Sequence, residues 1–437
     1  MLSHKFTAAV VAALGLASSL CADNATIRGD RTLVVDGQPF FPVAFRAEKL
    51  EGVKEGIDCG FNMVMGSGEW NRNIYDFANQ AGLKIIGGDS YVHFLGAQEG
   101  INPRAREISV LWNFIKHTRD QRRRPILKNL TEFGKLPGVI GYHTNDEPEA
   151  KNTEVCEAAY ELVKSYMPEK LVFTISCDVR WVGGLLNTAD VLIYDRYLLR
   201  GTQPPEKAYS NALTSLADNM EHCVKLWQSK SCWYMPQLYP PSYFSLKKDE
   251  LLTADALRQQ CYTALIAGAK GLVFYDWGEL NYTHYRDEKG NRTSAKLTPE
   301  QKAQQLSMLK DVVAEFKSLG EIICDGRPSR EAFVMFTAPG KMGPGSIKHR
   351  VLDHYGKQYV LLSNPLDVPL EGVFLGPDLG HNNFQKTFTG TVFAGHNDIT
   401  LGKHKEGMVT FTVAPGGCGV VELTRTSIID RLPEELR

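Results

Sequence analysis

The feature that most constrains this chain is a regular alternation. Short apolar runs rich in branched and aromatic residues recur between longer amphipathic stretches over roughly the first three quarters of the sequence. A run that stays apolar on both faces reads as a strand buried on both sides, and a helix between two such strands is the ordinary crossover of a parallel sheet. Eight runs qualify: 41–45, 61–65, 83–87, 139–143, 171–175, 191–194, 232–236 and 271–275. Helical spacing fills most gaps. Ile74, Phe77 and Ala78 precede the third run, and Val155, Ala159, Leu162 and Val163 follow the fourth. Leu213, Leu216, Met220 and Val224 precede the seventh, and Leu257, Cys261, Leu265 and Ile266 precede the eighth. A last helix over 299–319 has Leu306, Leu309, Val313 and Phe316 on its apolar stripe. Eight strands with helices in roughly 280 residues predict a (β/α)8 barrel.

The ends of the chain read differently. Lys5, an apolar stretch over 6–16 and small residues over 17–22 read as a signal peptide, hence a secreted or periplasmic protein. That stretch is shorter than the roughly 20 residues that span a bilayer, so no stable membrane insertion is expected. Residues 26–40 predict a hairpin turning at Asp36-Gly37. From 329 onward the runs shorten, helical spacing disappears and turn residues separate the runs, which predicts an antiparallel β-sandwich. The expected division is a signal peptide over 1–22, the barrel with its hairpin over 23–328 and the sandwich over 329–437. The longer stretch 91–135 predicts a loop and a helix on the barrel rim.

A net charge of -1 gives no general attraction to nucleic acid or an anionic surface. The run Arg122-Arg123-Arg124 is local and reads as a solvated helix end. Cleavage after Cys21 leaves eight cysteines, an even number that permits disulfides on export, with Cys223 and Cys232 the expected bridge. No Cys-X-X-Cys pair exists, so no zinc site is implied by the cysteine spacing. Asn-X-Ser/Thr sequons begin at Asn24, Asn129, Asn281 and Asn291.

Barrel enzymes work at the C-terminal ends of their strands. Arg46 and Glu48 follow the first strand here, Glu69 and Trp70 the second, and Asp89, Tyr91 and His93 the third. The fourth ends in His143, Asn145, Asp146 and Glu147; Asp178 follows the fifth; Asp195, Arg196 and Tyr197 follow the sixth. Gln237 and Tyr239 follow the seventh, and Asp276, Trp277 and Glu279 the eighth. This ring is rich in carboxylates and aromatics and poor in hydroxyl nucleophiles. Glycoside cleavage needs one carboxylic acid to protonate the leaving oxygen and a second carboxylate to attack the sugar or activate water. Simpler roles are also open. Asn145 to Glu149 has the composition of a capped helix start, Asp195 and Arg196 that of a strand-end ion pair, and Trp70 and Tyr239 that of packing residues.

The stretch Gly141-Tyr142-His143-Thr144-Asn145-Asp146-Glu147-Pro148 resembles the fourth-strand motif of clan A glycoside hydrolases, where Asn-Glu ends the strand and Glu is the acid/base. Val35 to Pro42 is similar to the entry of β-galactosidase-like and cellulase-like barrels, and Ala267 to Trp277 to their last strand. The resemblance spans residues 26–320 and implies an O-glycosidase acting on a poly- or oligosaccharide without metal or organic cofactor. It makes Glu147 the general acid, with Asp146 in the place of the Asn. The strand-end positions make Arg46, Trp70, Asp89, His143, Asp146, Tyr197, Gln237, Tyr239 and Trp277 the residues expected to hold the sugar. One departure matters. The clan's nucleophilic Glu ends the seventh strand, where this chain has Met235-Pro236-Gln237-Leu238-Tyr239. The second acid is then Asp195 or Asp276, with Asp195 on the nearer strand and inversion expected if the pair is widely spaced. The alternative is a carbohydrate-binding barrel that has lost hydrolysis.

Overall fold

The computed structural model describes residues 24–66, 70–88, 132–149, 153–197, 205–239, 251–287, 289, 291–329, 333–336, 348–366, 368–375, 388–395, 397–403 and 409–425. The expected signal peptide, most of the 91–135 segment, and Glu69, Asp89, Tyr91 and His93 lie outside the described residues.

Three short antiparallel strands open the fold: β1 (Ala25–Ile27), β2 (Leu33–Val35) and β3 (Gln38–Phe40). The turn between β2 and β3 is Asp36-Gly37, with φ of 52° and 78°, the two left-handed conformations a tight hairpin turn requires. Eight strands follow: β4 (Val43–Ala47), β5 (Met63–Gly66), β6 (Lys84–Gly88), β7 (Val139–Asn145), β8 (Leu171–Ser176), β9 (Val191–Tyr194), β10 (Ser231–Tyr234) and β11 (Leu272–Phe274). Each pairs in parallel with the next and β11 closes on β4, so the expected closed barrel is the observed one. Helices α1 (Leu50–Asp58), α2 (Arg72–Gln80), α3 (Thr153–Tyr166), α4 (Pro205–Leu226), α5 (Ala254–Ala267) and α6 (Pro299–Ser318) surround it. Their ends are written in the sequence. Thr253 caps α5 and Gly268, at φ 111°, stops it; Thr298 and Gln301 form a reciprocal capping box on α6.

Strand alternation divides the barrel residues into two layers. Met63, Met65, Ile86, Phe173, Ile193 and Trp233 fill the interior. Phe45, Val64, Ile85, Val172, Leu192 and Phe274 pack outward against the helices. Counting by twos along the wall, Arg46, Cys177, Asp195 and Gln237 inherit the inward parity of Ala44, Ile175, Ile193 and Met235.

Past β11 an unexpected hairpin, β12 (Tyr282–Arg286) and β13 (Arg292–Lys296), precedes α6, and a short α7 (Gly320–Asp325) follows it. The expected sandwich then appears. Strands β14 (Arg327–Pro328), β16 (His349–His354), β17 (Lys357–Ser363), β22 (Cys418–Arg425) and β19 (Phe388–Ala394) form one antiparallel sheet, in that order. Strands β15 (Phe333–Phe336), β18 (Leu370–Leu375), β21 (Val409–Val413) and β20 (Ile399–Lys403) form the other. Val360, Leu362, Phe374, Phe411, Val421 and Leu423 fill the space between them. The outer face of the five-stranded sheet carries Leu361, Cys418 and Val420 into the barrel's helical layer.

The expected Cys223–Cys232 bridge is absent, and both are free thiols. The Cys232 Sγ donates to the Cys223 backbone carbonyl at 3.6 Å, so its outward parity aims it at the end of α4 rather than at the other sulfur. Among the described residues no helix is long and apolar enough to cross a membrane.

Candidate active site

Three consecutive strands bring their C-terminal ends together on one side of the barrel mouth. Strand β7 ends at Asn145, and Asp146 and Glu147 follow at once. Gly141 permits the close pairing of β7 with β8, because a Cβ there would stand 2.2 Å from the Leu171 carbonyl oxygen. The ladder geometry continues past the strands. The Glu147 amide donates to the Ile175 carbonyl at 3.1 Å, and the Asp195 amide to the Ser176 carbonyl at 3.2 Å. Both acids are thus tied to β8, which lies between them. Glu147 sits at φ 45°, a left-handed conformation that costs a non-glycine residue on the order of 1 kcal/mol. The chain leaves the barrel there and no helix starts in Asn145–Glu149, so a helix-cap role is not what those residues serve.

A carboxylate oxygen of Glu147, the Cys177 Sγ and a carboxylate oxygen of Asp195 all lie within 4.8 Å of one another. Their environments differ. Glu147 is exposed, whereas Asp195 is only 3% exposed. Burial first, then the neighbouring Glu147 charge, pushes the Asp195 carboxyl well above the usual carboxylate range. The Tyr197 hydroxyl donates to Asp195 Oδ2 at 3.4 Å and opposes that shift weakly; Oδ1 is buried and has no hydrogen-bond partner. Burial and the two acids push the Cys177 thiol up to about 12, which keeps it protonated.

The facing side of the mouth holds Arg46, paired with Asp146 at 3.5 Å and stacked 5.2 Å from the centre of the Tyr275 ring. Its Nε is buried without a hydrogen-bond partner. Tyr197 bridges the two sides, its ring 5.2 Å from that of Tyr275 and 5.7 Å from that of Tyr239. Asp276 is buried, and its Oδ1 accepts the Glu279 amide at 2.8 Å, so it caps the short turn after β11. Burial raises its carboxyl too.

Other predicted site residues are placed elsewhere. His143 is buried, and its Nε2–H donates to the Asn145 carbonyl at 2.8 Å, an assignment that follows because a carbonyl only accepts. Gln237 is fully buried; its side-chain amide donates to the Tyr239 carbonyl at 3.0 Å and its backbone amide to Gln260 Oε1 at 3.2 Å. Trp70 and Trp277 belong to the outer layer. The Trp70 indole donates to the Ala47 carbonyl at 2.9 Å, and the Trp277 indole to Glu55 Oε2 at 2.7 Å among Phe45 and Phe61. Both give up the mouth because a buried indole N–H needs a partner and finds one behind the wall. Asp178 pairs with Arg180 instead of entering the mouth. Asp89 lies outside the described residues. Sequence reading passed over Cys177, although counting by twos from Phe173 and Ile175 reaches it.

Together these features define a closed parallel (β/α)8 barrel followed by a β-sandwich, with acids gathered at the C-terminal mouth. Solved structures share that architecture. Amy13B of Eubacterium rectale aligns with a TM-score of 0.51 at 9% identity over 92% of this chain and 97% of its own. The α-amylase GTA of Geobacillus thermoleovorans, solved with acarbose, aligns with a TM-score of 0.52 at 8% identity over 88% of this chain and 99% of its own. At such identity the likeness is one of fold. No protein-family model matches the sequence, and no curated protein matches it either.

Proposed function

We propose that this protein is an exported glycoside hydrolase that cleaves an oligo- or polysaccharide with Glu147 and Asp195 as its catalytic pair. The observation that carries the reading is the pair itself: two acids of unequal burial, within 4.8 Å of each other, just past the ends of strands β7 and β9 at a barrel mouth. Two carboxyls so close and so differently solvated divide the labour of acid and base. The resemblance to clan A gives Glu147 the proton. The electrostatics favour the reverse order, because burial and the Glu147 charge both hold the proton on Asp195. Asp195 then donates to the glycosidic oxygen as the C1–O bond breaks, while the Glu147 carboxylate bonds to C1. Water next attacks C1, returns a proton to Asp195 and releases Glu147. The pair is closer than the roughly 6.5–9.5 Å that an inverting site leaves for water, so the reaction retains anomeric configuration. Arg46, Asp146 and Tyr239 hold sugar hydroxyls, and Tyr197 steadies Asp195. Asp276 stands apart as a turn cap.

The test uses a panel of aryl glycosides and natural glycans with product anomers read by NMR. Turnover with retention is expected. Glu147→Gln loses it on every substrate, whereas Asp195→Asn keeps it on dinitrophenyl glycosides, whose leaving group needs no proton. Turnover unchanged in Glu147→Gln contradicts the reading, and glycan binding without turnover in the wild type replaces it with a non-catalytic binding barrel.

A further inference from the structure

We propose that Glu147, Cys177 and Asp195 form a binding site for a zinc-like divalent cation, and that the bound cation blocks the acid pair. The inference goes beyond the hydrolase reading and does not need it. Its starting point is Cys177, a side chain that hydrolysis does not use. Seven of the eight described cysteines are buried, and Cys177 alone is partly open to solvent. It projects from the end of β8, between the strands that carry the two acids.

Donor type, spacing and charge agree. Two carboxylates and a thiol make a mixed hard and soft set that suits Zn2+ or Cd2+ and disfavours Mg2+ and Ca2+. Bonds of about 2.0–2.3 Å in a tetrahedral site place donors roughly 3.3–3.8 Å apart. The three donors here are already within 4.8 Å of one another, so they need to close by about 1.5 Å at most. Glu147 is exposed and has the side-chain torsions to make that move. A second observation points the same way. Asp195 is only 3% exposed, its Oδ1 has no donor, and its carboxylate faces the other two donors. The neighbouring guanidinium, Arg46, is engaged with Asp146. A cation supplies the counter-charge that the buried Asp195 otherwise lacks beside Glu147. On binding, the thiol and Asp195 protons leave to water as the metal–sulfur and metal–oxygen bonds form, and no electron changes hands. Three protein ligands leave a fourth position for water at the open mouth.

The experiment titrates the intact protein with Cd2+ while recording the ultraviolet thiolate-to-cadmium charge-transfer band, and with Zn2+ by calorimetry. One equivalent is expected to saturate the band. The band vanishes in Cys177→Ser, and zinc affinity falls at least about tenfold in Cys177→Ser and in Asp195→Asn. Magnesium in excess leaves the band unchanged. Near-ultraviolet circular dichroism checks folding, and Asp195→Asn carries the comparison alone should Cys177→Ser misfold. Absence of the band, a band of equal size in Cys177→Ser, or equal zinc affinity in all three proteins overturns the site. The two proposals fail separately. A cadmium band without glycoside turnover removes the hydrolase and keeps the cation site, and turnover without a band does the reverse.

Discussion

Two charge clusters in this molecule are built on opposite principles. Between barrel and sandwich, Arg258 donates to Glu315 from Nε at 2.8 Å and Nη2 at 3.0 Å, and to Asp398 from Nη1 at 2.6 Å. Its Nη2 also reaches the Cys418 carbonyl, and Tyr262 donates to Glu315 at 2.7 Å. One cation stands between two acids, and helices α5 and α6 are joined to the sandwich. At the barrel mouth, Glu147 and Asp195 adjoin a neutral thiol, and the nearby arginine serves Asp146. The first arrangement satisfies its charges and holds two domains together. The second leaves one acid buried, raised and short of partners. Burying like charges costs stability, so a fold keeps such a group where chemistry uses it.

The contrast can be broken from either side. The largest effect is expected at the mouth, where Glu147→Gln lowers glycoside turnover by roughly 10²–10⁴-fold with little change in unfolding midpoint. Arg258→Met does the opposite. It strands Glu315 and Asp398 in a buried interface and lowers the unfolding free energy by about 3–5 kcal/mol in a denaturant titration. Asp195→Asn sharpens the comparison through its sign. The folded-state pKa of Asp195 is raised, so the folded protein holds more protons than the unfolded chain from about pH 4 up to the raised value, and stability falls as pH rises through that window. The amide removes this penalty. The variant is expected to be more stable than wild type at neutral pH by on the order of 1 kcal/mol, with the gain vanishing below about pH 4. Tyr197→Phe is the mildest. It removes the one hydroxyl that favours the Asp195 carboxylate, so the alkaline limb of the pH–rate profile, where the general acid loses its proton, moves up while the maximal rate falls less than about tenfold.

Much of the architecture was legible because parallel barrel strands are buried on both faces and read as unbroken apolar runs. The run 191–194 coincides with β9, and the ends of the others lie within two residues of the observed strand ends. The sandwich was less complete. His349–His354, Leu370–Leu375, Phe388–Ala394 and Ile399–Lys403 are strands whose runs are interrupted by Arg, Glu, Gly or Lys, and each needs its sheet partner to be stable. The site was read in part. Motif and strand-end position singled out Glu147 and Asp195, which the fold brings together. Trp277 and Trp70 were assigned to the mouth by sequence proximity, but their indole donors find partners behind the wall. Cys177 was hidden by its neighbour Asp178, the residue with the more familiar chemistry, which pairs with Arg180 instead.

The account depends on one proton shared unequally between two acids, and carboxyl-labelled NMR reads it directly. Protein carrying 13C at aspartate and glutamate carboxyls is titrated with and without Asp195→Asn, which identifies the Asp195 resonance. A resonance that stays protonated well above the ordinary aspartate range, and moves part of the way down toward that range when Glu147 becomes Gln while burial still holds it above, is the predicted result. An Asp195 resonance that titrates near the ordinary value of about 3.9 with Glu147 intact contradicts the account.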